Sequence, residues 1–203
     1  MQRGRLLLPV LAYAQVALAL VLLVGFVACT GAPPAESVQD DLCELFDARK
    51  KWRKAAVKAR KKWNVPEPVL MAIVHQESRF NARARPRRRY VLGVIPRPRS
   101  SAYGYGQAKD GTWKEYQSKT GQRGAERDDF GDVADFIGWY ADVIRKSTGI
   151  AVSDTYRLYL AYHEGPTGYR RGSYKDKAWL QGVAHKVSLR ADRYARQYAD
   201  CGG

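Results

Sequence analysis

Apolar positions along this chain come in blocks of different period. From Asp41 to Asn64, Leu42, Leu45, Phe46, Trp52, Ala55, Ala56, Ala59 and Trp63 recur near helical spacing, which predicts one amphipathic helix. Val65-Pro66-Glu67-Pro68 breaks it, because proline cannot donate to a helical ladder. The unbroken run Val69-Leu70-Met71-Ala72-Ile73-Val74 then predicts a second, largely buried helix reaching about Ser78. Val133, Phe136, Ile137, Tyr140, Val143 and Ile144 mark a third helical face, entered through Asp132 and left near Gly149. A fourth helix runs from about Asp154 to Glu164, where Gly165-Pro166 stops it. The last, from about Lys177 to Tyr198, buries Trp179, Leu180, Val183, Val187, Tyr194 and Tyr198. No repeat appears, and no alternating run is long enough for a sheet of any size. The fold class is mainly α, with at most a small hairpin in the excursion 81–101, which holds seven arginines and three prolines.

Length and charge bound this picture. The chain has 203 residues, 45% of them hydrophobic, enough for one core of ordinary size once the N-terminus is set aside. Leu6 to Ala28 carries no charge and follows Arg3 and Arg5, so residues 1–28 read as an export segment. Residues 29–40, small, polar and proline-bearing, read as a tether, and 41–203 as one folded domain. The end of the apolar segment resembles a bacterial lipoprotein signal, which implies lipidation of Cys29. An uncleaved transmembrane anchor is the alternative, since the run also suffices to span a bilayer. Either way the domain lies outside the cytoplasm, tethered to a membrane. Thr30 after Cys29 points toward the outer membrane if the protein is a lipoprotein. Cys43 and Cys201 then remain, and an oxidising compartment favours a disulfide between them, contributing roughly 4 to 5 kcal/mol by loop closure.

The formal charge is +15, and nine of the fourteen residues from Arg49 to Lys62 are Lys or Arg. The export segment argues against nucleic acid as partner. The basic faces are either attracted to anionic envelope polymers and headgroups or are simply solvated. Three segments could carry chemistry. Glu77 ends the apolar run, where burial would keep a carboxylic acid protonated for donation; the alternative is a solvated glutamate at a helix end. Ser101-Ala102-Tyr103-Gly104-Tyr105-Gly106-Gln107 alternates glycine with aromatic faces and ends on an amide, which suits a sugar but also an ordinary turn. Leu160-Ala161-Tyr162-His163-Glu164-Gly165 sets a phenol, an imidazole and a carboxylate at a helix end. The chain has no His-Glu-x-x-His, no Pro-Cys-x-x-Cys, no glycine-flanked nucleophilic serine and no phosphate loop, so no metal site is assigned.

Taken in order, Glu77-Ser78-Arg79-Phe80, Ser101 to Gln107 and Ala161-Tyr162-His163-Glu164-Gly165 resemble the soluble-type lytic transglycosylases. These are bacterial enzymes with a lysozyme-like helical fold, similar to goose-type lysozymes. The resemblance implies that Glu77 is the catalytic acid and base and that Ser78 helps place substrate. It implies that Gln107 lines the saccharide cleft and that Tyr162 positions the catalytic carboxyl; Tyr103 and Tyr105 are expected to bind substrate beside Gln107 on the strength of their aromatic faces. Tyr105 and Gly106 stand where Leu and Met are usual, and His163 replaces Asn. The implied reaction cleaves peptidoglycan between N-acetylmuramic acid and N-acetylglucosamine, forming a 1,6-anhydro product with no cofactor. The expected partner is the glycan strand, and the expected state a monomer. Alternatives are a muramidase with Asp110 or Glu164 as second carboxylate, and an inactive wall-binding module of the same fold.

Overall fold

A computed structural model describes residues 32–86 and 100–201. The expected export segment, Cys29, and most of the arginine-rich excursion with its expected hairpin lie outside the described residues. Helices among the described residues are α1 (Glu36–Gln39), α2 (Leu42–Ala48), α3 (Lys50–Trp63), α4 (Glu67–Ser78), α5 (Asp110–Thr120), α6 (Phe130–Thr148), α7 (Thr155–Arg170) and α8 (Ala178–Asp200). The only strand-like pairing among them is an isolated antiparallel bridge between Tyr103 and Ala108. No helix among the described residues is long and apolar enough to cross a membrane.

α4 is the centre of the packing. Every residue from Glu67 to His75 is buried, so the apolar run is enclosed all round. α8 packs against it and against α7, while α3 packs on α6 and α6 on α7. The α3–α6 crossing is close because Gly138 faces the Trp63 indole; a methyl group there would lie 2.4 Å from a ring carbon. Trp63 Nε1 donates to Asp135 at 2.8 Å, and Lys62 and the Tyr116 hydroxyl donate to the same carboxylate. The buried Glu67 at the start of α4 pairs with Arg60 of α3 at 3.5 Å.

Five expectations change. The helix foreseen from 41 to 64 is two helices, since Arg49 (φ −132°, ψ 61°) leaves helical geometry between α2 and α3. α5 was not foreseen, because it buries only Trp113 and Tyr116 and shows no continuous apolar face. The folded domain begins before the expected residue 41: α1 is folded onto it, with Gln39 buried and its carbonyl accepting from the Tyr194 hydroxyl. Trp179, expected in the core, is 60% exposed, because the buried stripe of α8 runs through Leu180, Ala184, Val187, Ala191 and Tyr194 and Trp179 lies one position off it. The break at Gly165 (φ 76°, ψ 158°) occurs as expected, but the chain resumes helical geometry afterwards and runs to Arg170.

Cys43 and Cys201 form a disulfide with Cα atoms 6.1 Å apart, joining α2 to the end of α8. It closes a loop with a sequence separation of 158 residues, so it constrains the unfolded chain strongly. Replacing both cysteines by serine is expected to cost about 3 to 5 kcal/mol and to lower the melting temperature by about 10 °C. Calorimetry of the double variant beside the oxidised wild type measures this; equal melting temperatures would contradict it.

Candidate active site

α4 ends abruptly at the site. Arg79 (φ 49°) and Phe80 (φ 59°) both adopt the left-handed conformation, which costs a residue with a Cβ about 1 kcal/mol or more. Burial of Phe80 offsets that cost: its ring is fully enclosed, stacked on Trp52 at 5.5 Å and edge-on to His75 at 5.8 Å. The last turn of α4, with Glu77, is thereby held at a fixed end.

Glu77 lines a cavity of about 370 Å³ together with Gln107, Tyr140, Tyr162, His163 and Glu164. The residue keeps some accessible surface along the cavity, but its carboxyl is surrounded by protein, and burial pushes its pKa up to about 7. A hydrogen bond from the Tyr159 hydroxyl to Oε1, 2.8 Å long, works in the opposite direction without cancelling the rise. Tyr159 was missed in the sequence, where Tyr156-Arg157-Leu158-Tyr159-Leu160 reads as helix packing. Tyr162, expected to hold this carboxyl, instead donates to the Gly106 carbonyl at 2.7 Å and ties α7 to the turn opposite. Its ring meets Tyr140 edge-on at 5.4 Å and stacks on Tyr159 at 6.4 Å. Burial raises the pKa of all three phenols, Tyr140 to about 12, so they remain protonated donors.

The turn 101–108 is built by internal contacts. Gly104 (φ 79°) lies so close to the Arg127 carbonyl that any Cβ would collide with it, so this glycine serves packing inside the protein. Arg127 Nη1 donates to the Ser101 and Ala108 carbonyls at 3.0 and 2.9 Å and pairs with Asp110 at 2.9 Å. No motif flagged this clamp, because arginines are common throughout the chain. Gln107, itself left-handed (φ 48°), donates through Nε2 to the Ala84 and Gly104 carbonyls, both at 2.9 Å, while its residue lines the cavity. The expected tyrosine faces turn elsewhere. Tyr105 is buried edge-on between Trp52 and Phe130, and Tyr103 donates to Asp128 at 2.9 Å beneath the Arg85 guanidinium. The Tyr105 ring is thereby consumed by the fold, whereas Tyr103 remains half-buried, and neither lines the cavity. Ser78 donates to the Val74 carbonyl one turn back, at 3.2 Å, and is not among the residues lining the cavity.

Two further groups complete the electrostatics. Glu164 is in the cavity wall, and burial opposes its ionisation, but hydrogen bonds from Lys177, Ser173 and His163 prevail and hold its pKa at about 2. Lys177 bonds both oxygens, at 2.8 and 2.7 Å, and His163 Nδ1 lies 3.0 Å from Oε1. On the other side of α4, buried His75 is pushed down to about 4 by desolvation and by the cations of Arg190 and Arg79. No group of His, Cys, Asp and Glu that could hold a metal ion occurs among the described residues.

A mainly helical domain that presents one enclosed carboxyl group to a cleft is lysozyme-like in construction. The chain belongs to the transglycosylase SLT domain family, whose model matches residues 17–201. No curated protein matches it.

The raised pKa of Glu77 has a thermodynamic signature. Below the ordinary value of 4.5 the group is protonated in both folded and unfolded chains; between there and about 7 only the unfolded chain ionises, so stability falls as pH rises. Glu77→Gln keeps an acceptor for Tyr159 and removes the ionisation. It is expected to match wild type near pH 4 and to be more stable by about 2 to 3 kcal/mol at pH 8, a gain of about 5 °C or more. Melting curves of both proteins across that range would expose the error if they stayed parallel.

Proposed function

We propose that the protein is a lytic transglycosylase that cleaves the β-1,4 bond between N-acetylmuramic acid and N-acetylglucosamine in peptidoglycan. The observation that carries this reading is Glu77, a carboxyl with its pKa raised to about 7, fixed by Tyr159 on a cleft wall. Such a group can give its proton to the bridging oxygen. The bond from the muramyl C1 to that oxygen breaks, and the N-acetylglucosamine 4-hydroxyl leaves. The acetamido oxygen of the same muramyl unit closes on C1 in its place. Glu77, now a carboxylate, removes the proton from the muramyl 6-hydroxyl, and the 6-oxygen displaces the acetamido oxygen to form the 1,6-anhydro ring. One carboxyl serves as acid and then as base, and no water is consumed.

Hydrolysis with a second carboxylate is the competing chemistry, and Glu164 is in the same cavity wall. Both of its oxygens are engaged by Lys177, His163 and Ser173, and a pKa of about 2 leaves it a weak base for water. Asp110 is exposed and paired with Arg127. Neither favours the muramidase reading. The export segment supports action in the bacterial envelope, with the domain tethered through Cys29. Labelled palmitate is expected in the wild type and not in Cys29→Ala; a wild type that takes up no label would favour an uncleaved anchor.

Digestion of purified peptidoglycan is expected to release anhydromuramyl products, one water lighter than the reducing-end sugars of a hydrolase; mainly reducing-end muramic acid would overturn the reading. Glu77→Gln should lose about a hundredfold or more in rate. Because Glu77 must start protonated, the wild-type rate should fall as pH rises past about 7. Tyr159→Phe removes the hydrogen bond that favours the carboxylate, so it should lower the rate yet move that alkaline limb to higher pH. An unmoved limb would separate Tyr159 from the acid.

A further inference from the structure

α8 begins with a side chain that its helical spacing assigns to the core and the fold leaves in solvent. Trp179 is 60% exposed, whereas Trp113 and Trp139 are each 6% exposed and Trp52 and Trp63 pack against the core. The indole is not a loose surface residue. Its ring meets the His163 imidazole edge-on, centroids 5.4 Å apart at 80°, and His163 is itself part of the cavity wall. The backbone beneath it is pinned as well: Lys177, two residues earlier, holds Glu164 with both oxygens, and the Lys177 carbonyl accepts from the Leu180 and Gln181 amides. A rigid, solvated aromatic face therefore continues the wall of the cleft beyond its rim.

A glycan strand is longer than the cavity, so sugar units on either side of the scissile bond must run over that rim. The apolar C–H face of a pyranose is the natural partner of a flat indole, which loses little conformational freedom on contact and keeps its N–H for a hydroxyl. We propose that Trp179, braced by His163, is a sugar-stacking subsite that holds a glycan unit next to those in the cavity. The inference rests on the glycan-cleaving reading above and adds a residue that the resemblance does not assign.

The test uses the full folded domain carrying Glu77→Gln, so that saccharides bind without being cut. The probes are alternating N-acetylglucosamine and N-acetylmuramic acid oligosaccharides of two, four and six units. Trp179 is the most exposed of the five tryptophans, so iodide quenching of fluorescence reports on it. The expected results are that the longer saccharides protect the indole from iodide, that affinity rises with length, and that Trp179→Ala removes most of that rise, about three- to tenfold. Trp179→Phe should restore part of it. Circular dichroism and melting temperature of both variants should match the parent, since an exposed side chain contributes little to the core. If the six-unit saccharide binds and iodide access is unchanged, or Trp179→Ala binds all lengths as the parent does, the subsite is refuted while the cleaving function stands. If no saccharide binds at all, the glycan-cleaving reading fails and takes the subsite with it.

Discussion

The rest of the site depends on withholding water from one carboxyl group. Glu77 carries its proton to about pH 7 because the surrounding side chains replace much of the solvent that would stabilise the anion. Tyr159 supplies one donor, enough to orient the group and too little to ionise it. The enclosure is made by elements distant in sequence: α4 brings the acid, α7 brings Tyr159 and Tyr162, and α6 brings Phe136 and Tyr140. Removing any one wall would admit water and return the carboxyl toward its ordinary acidity.

Backbone strain is gathered around the same point. The left-handed non-glycine residues among those described are Asn64, Arg79, Phe80 and Gln107. Asn64 merely ends α3, where an asparagine is comfortable in that conformation. Gln107 lines the cavity and Arg79 and Phe80 closely follow Glu77 in the chain, and each is compensated nearby: Phe80 by its aromatic neighbours, Arg79 by the helix-ending bond from its amide to the His75 carbonyl, and Gln107 by two side-chain hydrogen bonds. The local cost purchases a sharp exit from α4 and a turn that meets it across the cleft.

Much of this was legible in the sequence where hydrophobic period and chemistry agree. The buried run into Glu77, the α6 face and the break at Gly165 follow from apolar spacing and from glycine and proline. The disulfide follows from cysteine count and the compartment expected from the N-terminal segment. Legibility failed where a residue serves two masters. Tyr159 looks like core and is core, yet its hydroxyl meets the acid across a sequence distance no local pattern spans. Tyr105 looks like a sugar platform because it neighbours glycines, but Gly104 admits the Arg127 backbone and the Tyr105 ring packs inward against Trp52. Trp179 shows the converse, an apolar side chain whose spacing to Val183 and Val187 suggests core, while the buried stripe runs through its neighbour Leu180 and leaves the indole outside.

His75 and Glu77 occupy the last turn of α4 and titrate in reversed order. An ordinary glutamate ionises near 4.5 and an ordinary histidine near 6.5; here the histidine sits at about 4 and the glutamate at about 7. Between those two values both groups are neutral at once, so this end of the central helix carries no side-chain ion from either of them over about three units of pH. Acid beyond that interval forces an imidazolium beside Arg79 and Arg190, and alkali forces a carboxylate beside the tyrosines. The helix that presents the proton donor thus also sets a mildly acidic interval in which its own burial is least contested.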